Sequence, residues 1–203
     1  MGLCDTAPVQ GWPNFQVHPL AFSEPECARI LSIGHDAVVA GAEEAGIEGV
    51  EDPGALRRTQ VAWIPREPAT EGLYERLEAL GRGANEAWGL DLDGIDEELQ
   101  FTLYEGPGAH YTWHHDGLEV GVADRKVSVV VQLDDPQLYR GADLEFLEVA
   151  TDYDPAEREA YLDQVRARGT AVSFCSFEYH RVTRLVSGRR RSLVAWLSGP
   201  PLR

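Results

Sequence analysis

The chain has 203 residues with 18 basic and 34 acidic side chains, for a net charge of -16. Its length suits one domain spanning 1–203, and a compact fold of this size buries roughly 70% of the unfolded-chain surface. The acidic balance tells against sequence-independent nucleic-acid binding, and no apolar run nears the roughly 20 residues of a membrane span.

The amino terminus, MGLCDTAPVQGWPNF, lacks a basic start and an apolar h-region, so a cytoplasmic location is expected. Cys4, Cys27 and Cys175 are odd in number and widely spaced, which suggests reduced thiols and neither a disulfide framework nor a zinc site. Lys126 is the only lysine.

Ser23-Glu24-Pro25-Glu26 has the form of a capping box, and Ile30, Leu31, Val38 and Val39 follow as the buried stripe of a first helix. Residues 41–57 lack a period and read as a loop. Thr59, Val61 and Trp63 then alternate with Gln60 and Ala62 as in a strand. Leu73, Leu77, Leu80, Ala84 and Trp88 recur at helical spacing, which predicts a second helix from about Thr70 to Trp88.

Beyond residue 98 the pattern changes to short strands separated by turn signals. They are Leu99 to Tyr104, Tyr111 to Asp116, Val127 to Leu133, Leu144 to Val149, Thr170 to Cys175, Tyr179 to Val186 and Ser192 to Leu197. Such a run predicts a mainly β fold, a barrel or jelly roll over about 98–200, with helical support over about 20–90. One helix interrupts it, with Asp154 as cap and Pro155 in the first turn. Tyr161, Leu162 and Val165 are its only apolar stripe, so Asp154 to Arg168 is expected to dock weakly as a lid or rim.

His114 and Asp116 stand two residues apart in a predicted strand, so both side chains point to one face while His115 points away. Alone, His-x-Asp is a weak signal. His180, in a later strand, supplies a second imidazole, and two imidazoles with one carboxylate form the facial triad of non-haem iron(II) oxygenases. Arg190 lies ten residues beyond His180, past Ser187-Gly188. A tight hairpin there would turn the two side chains apart, whereas a chain crossing between two sheets can point both inward. The planar fork of arginine suits bidentate binding of a carboxylate.

The segments RTQVAWIPR, LQFTLYEGPGAHYTWHHDG, RKVSVVVQLDDPQLYRGADLEF and HRVTRLVSGRRRSLVAWLSGP carry a resemblance to a known family. The chain resembles the prolyl 4-hydroxylase-like branch of the iron(II)/2-oxoglutarate dioxygenases from about Arg58 to Arg203. The resemblance implies a double-stranded β-helix, cupin-like, with two packing helices and one inserted helix outside. It implies iron(II) held by His114, Asp116 and His180, with 2-oxoglutarate paired to Arg190, dioxygen as oxidant and ascorbate as reductant. Tyr104 and Tyr111 match tyrosines that often line the co-substrate pocket, although strand packing explains them nearly as well. The implied reaction oxidises 2-oxoglutarate to succinate and carbon dioxide and hydroxylates an unactivated C–H bond. The family's halogenases replace the carboxylate ligand with a small residue, so Asp116 argues for hydroxylation.

Some positions depart from the family pattern. Ala142-Asp143 stands where Gly-Glu or Gly-Asp is common, Cys175 replaces a frequent proline, and Arg184 sits where proline often follows the distal histidine. Trp63, Trp88 and Trp196 fit core stripes, and Trp113 fits packing beneath the sheet. His18, His35 and His110 have no partner at ligand spacing. Arg181, Arg184, Arg189 and Arg191 read either as a solvated edge or, together with Arg57 and Arg58, as a source of one anchor for a substrate carboxylate. The substrate is expected to be an amino acid, peptide or related small molecule, with desaturation, demethylation, protein side-chain hydroxylation and passive metal binding as alternatives.

Overall fold

The computed structural model describes residues 13–44, 53–118 and 121–201. The N-terminal part contains β1 (Phe15–His18), α1 (Glu24–Gly41), β2 (Glu43–Glu44), α2 (Pro53–Leu56), β3 (Arg57–Arg58), β4 (Gln60–Ile64) and α3 (Glu71–Asn85). The strands β5 (Leu99–Glu105), β6 (His110–His114), β7 (Arg125–Gln132) and β8 (Leu144–Phe146) follow. Helices α4 (Leu147–Thr151) and α5 (Pro155–Arg166) then precede β9 (Ala171–Cys175), β10 (His180–Val182) and β11 (Arg189–Ser198). No helix among the described residues is long and apolar enough to cross a membrane.

Two sheets face each other as in a jelly roll. The larger runs β1-β9-β7-β11-β5-β4-β2 and the smaller β3-β6-β10-β8, and every adjacent pair is antiparallel. Strand alternation sorts the side chains of the larger sheet into two layers. Val127, Val129 and Val131 of β7, with Leu193, Ala195 and Leu197 of β11, pack into a core shared with Ile30 of α1 and Leu77 of α3. Each Val, Leu or Ile side chain fully buried there is worth about 1.5–3 kcal/mol. The alternate residues Arg190, Ser192, Val194 and Trp196 face the smaller sheet and line a cavity between the two.

The capping box of α1 forms, with Ser23 donating its backbone N–H to Glu26 Oε2 at 2.7 Å. The stripe differs from the expected one. Ile30 is buried together with Cys27 and Gly34, whereas Val39 is 74% exposed near the helix end. Gly34 lies so close to the sheet that a Cβ there would come within 2.2 Å of the Phe101 ring.

Four expectations need correction. The strand over Leu144 to Val149 stops at Phe146 and continues as α4, because a short apolar run does not by itself distinguish strand from helix. The strand over Tyr179 to Val186 contracts to β10, since the N–H groups of Thr183, Leu185 and Val186 donate to Asp143, Ala109 and Arg140 carbonyl oxygens outside any strand. The loop over 41–57 contains β2, α2 and the start of β3, with 45–52 outside the described residues. Helix α5 is no loosely docked rim: Tyr161, Leu162 and Val165 are all buried in a core with Phe146 and Phe174.

Polar contacts hold α5 as well. Tyr161 Oη donates to the Leu144 carbonyl at 3.0 Å, and Arg166 Nε to Asp143 Oδ1 at 2.8 Å. The fully buried Glu145 accepts from Arg158 of α5 and from Arg181 of β10. At the start of β7, Lys126 is 1% exposed and donates to the carbonyl oxygens of Ala123 and Asp124 at 2.7 and 2.8 Å.

Candidate metal and co-substrate site

His180 of β10 and His114 of β6 are paired across the smaller sheet, so their rings meet on its inner face with centroids 4.1 Å apart. Each ring is oriented by its own chain: Nδ1 of His114 bonds to the Thr112 carbonyl at 2.8 Å, and Nδ1 of His180 to that of Glu178 at 2.9 Å. Both Nε2 atoms are thereby aimed inward.

Asp116 reaches the same point by a different route from the one expected. Strand β6 ends at His114, and the chain turns so that the Asp116 and Gly117 N–H groups both donate to the Ser176 carbonyl. The turn carries Asp116 Oδ1 to 3.6 Å from His114 Nε2 and 3.8 Å from His180 Nε2. Its other oxygen, Oδ2, accepts from Ser128 Oγ at 2.7 Å and Trp196 Nε1 at 3.0 Å.

Among the described residues this trio is the group of metal-ligating side chains that converges, with its ligand atoms within 4.8 Å of one another. His115 lies apart, edge-on to the Tyr179 ring at 5.3 Å. Burial, with the charge of His180 beside it, pushes His114 down to about 3, so the imidazole is neutral at physiological pH, the form in which histidine can bind a metal. Burial raises the Asp116 carboxyl, but the two imidazoles and the Ser128 and Trp196 hydrogen bonds outweigh it and hold the group at about 2. Two imidazoles and one ionised carboxylate, with open space beside them, suit iron(II).

Arg190 points into the same cavity from the opposite sheet, so His180 and Arg190 do converge by a crossing between sheets. It is 2% exposed, its Nε donates to Gln132 Oε1 at 3.0 Å, and both terminal nitrogens are buried without a hydrogen-bond partner. Two unpaired terminal nitrogens on a buried guanidinium are costly, and these prongs match a carboxylate. Tyr104, opposite Arg190 in the β5–β11 register, lies with its ring 5.1 Å from the guanidinium carbon. Burial raises the Tyr104 phenol, with Arg190 acting in the opposite sense, so the hydroxyl stays protonated and can donate. Tyr111 stacks on His114 at 3.4 Å between centroids, and Tyr104 and Tyr111 both line the cavity. The residues present thus fit a metal and a dicarboxylate side by side.

The cavity measures about 240 Å³. Of the six arginines considered as substrate anchors, Arg57 alone lines it; Arg181 is tied to Glu145, Arg191 to Asp134, and Arg189 lies 3.8 Å from Glu105. Arg58 and Arg184 are exposed. His18 bonds to Ser173 Oγ, His110 to the Gly108 carbonyl, and His35 is exposed, so none joins the site. Trp113 packs under the Arg181 guanidinium. Sequence reasoning gave Ser128 and Gln132 no role and read Trp63 and Trp196 as core residues; both do pack in the core, and both also border the cavity. Parity along β11 was a usable signal, because Trp196 is an even number of residues from Arg190.

Residues 99–198 match the family model described as the 2OG-Fe(II) oxygenase superfamily. The curated proteins yielded no match. Among solved structures, the chain is similar to a Pseudomonas putida prolyl-4-hydroxylase, with 21% identity, a TM-score of 0.67, and 92% of this chain and 93% of that one covered. A Trichoplax adhaerens prolyl hydroxylase, solved with a hypoxia inducible factor oxygen degradation domain peptide fragment, gives 18% identity and a TM-score of 0.70 over 91% and 83%. A viral collagen prolyl hydroxylase from Paramecium Bursaria Chlorella virus-1, in its 2OG complex, gives 15% and 0.61 over 98% and 100%. The match makes residues 99–198 a 2OG-Fe(II) oxygenase domain, so the chain is a 2-oxoglutarate-dependent dioxygenase that uses Fe(II) and O2, and its fold is shared with the solved prolyl hydroxylases.

Proposed function

We propose that the chain hydroxylates an unactivated C–H bond of an amino acid, peptide or related small molecule. In this reading His114, Asp116 and His180 hold the iron, Arg190 grips the far carboxylate of 2-oxoglutarate, and the whole chain works as one domain. The observation that carries it is the pair of buried, unpartnered Arg190 nitrogens opening into the cavity that the three ligand atoms share. A passive metal-binding barrel has no use for that cation.

Each residue then has a task. The iron, with 2-oxoglutarate and dioxygen, supplies the oxidant for the C–H bond. Gln132 sets the rotation of the Arg190 fork through Nε, which leaves both prongs for the co-substrate. Tyr104 offers its hydroxyl to the same carboxylate, and Tyr111 braces the His114 ring. Ser128 and Trp196 occupy one carboxylate oxygen of Asp116, which leaves the other for the metal.

A cavity of about 240 Å³ lies below the roughly 300–1,000 Å³ of ordinary ligand pockets. It must take the co-substrate and the reacting end of the substrate together, which favours a small molecule or one side chain of a peptide. The test is incubation with Fe(II), 2-oxoglutarate and ascorbate and a library of amino acids, short peptides and metabolites. Succinate above background, paired with a product heavier by one oxygen, is expected; succinate formation paired only with desaturated or demethylated products would refute hydroxylation.

A further inference from the structure

Three guanidinium groups border the cavity, and two of them are accounted for. Arg190 faces the co-substrate. Arg125 donates through Nε to Glu97 at 2.6 Å and lies over the Trp196 ring, so its charge is neutralised. Arg57 donates Nε to Thr59 Oγ1 at 2.9 Å and covers the Tyr111 ring at 4.5 Å, and no carboxylate among the described residues pairs with it. It is placed there by the β3–β6 pairing, which sets Arg57 directly opposite Tyr111.

We propose that Arg57 is the anchor for a carboxylate on the substrate. The inference rests on the iron and 2-oxoglutarate reading above and adds the substrate's charge and the residue that reads it. Charge balance supports it. With a divalent cation and a dianionic co-substrate in place, Asp116 and Arg190 leave the site neutral, and among the described residues Arg57 is then one uncompensated positive charge. The Debye length of about 8 Å at physiological salt lets a bound group feel this cation more than acidic residues across the molecule.

Geometry narrows the substrate class. The Tyr111 ring touches both partners, the His114 ring at 3.4 Å and the Arg57 guanidinium at 4.5 Å, so the guanidinium stands within one aromatic ring of His114. A carboxylate held there leaves the reacting carbon a few bonds away, as in a free amino acid or the C-terminal residue of a short peptide. An internal peptide residue offers a carboxylate there only as an Asp or Glu side chain. Trp63 and Val194, also bordering the cavity, supply apolar surface for the intervening carbons.

The test uses the full chain loaded with Mn(II) and 2-oxoglutarate, and a panel of N-acetyl amino acids with their matched primary amides. Paramagnetic broadening of the ligand NMR signals reports binding next to the metal. Carboxylates in the panel should be broadened and their amides should bind at least about tenfold more weakly, as fits the loss of a charge-assisted bidentate pair. Arg57→Gln should lose carboxylate binding by a similar factor and Arg57→Lys by less, with Mn(II) and 2-oxoglutarate affinities unchanged. Equal binding of amides, retained carboxylate binding in Arg57→Gln, or no broadened carboxylate with the loaded wild type would each overturn the proposal. Loss of 2-oxoglutarate affinity in Arg57→Gln would also overturn it, by assigning Arg57 to the co-substrate. If Arg57→Gln fails to fold, the wild-type comparison of carboxylates with amides decides. Failure of the wild type to bind Mn(II) or 2-oxoglutarate would instead sink the underlying iron reading.

Discussion

Trp196 Nε1 donates to Asp116 Oδ2 at 3.0 Å, across 80 residues of chain, and so fixes which carboxylate oxygen faces the two histidines. Partners of this kind orient metal ligands, and their loss costs roughly 10–100-fold in metal affinity or activity. Trp196→Phe keeps the aromatic packing and removes the donor. Its Mn(II) affinity, measured by calorimetry, should fall by about that range while the fold survives; unchanged affinity would mean that Ser128 alone suffices.

His114→Ala should lose the metal and His115→Ala should keep it. The two rings are neighbours in sequence, but His115 packs on Tyr179 outside the ligand trio. Metal analysis of both purified variants decides, and the reverse pattern would contradict the ligand assignment.

Arg190→Ala should weaken 2-oxoglutarate binding by roughly 2–5 kcal/mol, the cost of leaving a buried charge without its partner. Metal binding should persist, because Arg190 is not among the converging ligands. The same substitution at Arg191, which is paired with Asp134, should leave co-substrate affinity intact. Titration of 2-oxoglutarate into the Mn(II)-loaded variants separates the two.

Much of the site was legible in the sequence because side-chain direction in a strand has a fixed period. The residues His114 and His180 needed only that rule and a pairing between β6 and β10. Asp116 reaches the two histidines through a turn stapled to Ser176, a contact across 60 residues that no local pattern encodes. Gln132 and Ser128 were hidden for a related reason: each sits among valines in β7, where a polar residue gains meaning only once its partner is known. Strand β1 was missed because four residues, FQVH, show too short an alternation, and it exists by pairing with β9.

Ala142 adopts a φ of 53°, in the region that costs an L-residue with a Cβ about 1 kcal/mol or more. The departure noted there thus has a physical meaning, since glycine takes this conformation freely. Ala142→Gly should stabilise the protein by about 1 kcal/mol or slightly less, because a more flexible unfolded chain offsets part of the gain. Urea denaturation gives the sign, and destabilisation would show that the buried methyl group matters more than the backbone.

Helix α5 should exchange its amide hydrogens as slowly as the strands it packs on, with or without 2-oxoglutarate. Its buried residues and its contacts through Glu145 and Asp143 tie it to β8 and β10. Fast exchange confined to α5, slowed by the co-substrate, would restore the lid that its charged sequence suggested.

Lys126 gives the chain a single side-chain amine, and the fold hides it at the start of β7, a strand flanked on both sides by β9 and β11. An acylating reagent can reach that nitrogen only when this end of the sheet opens. The rate at which the residue gains an acyl group therefore clocks the opening, so the protein carries a built-in chemical stopwatch that mass spectrometry can read without any engineered label.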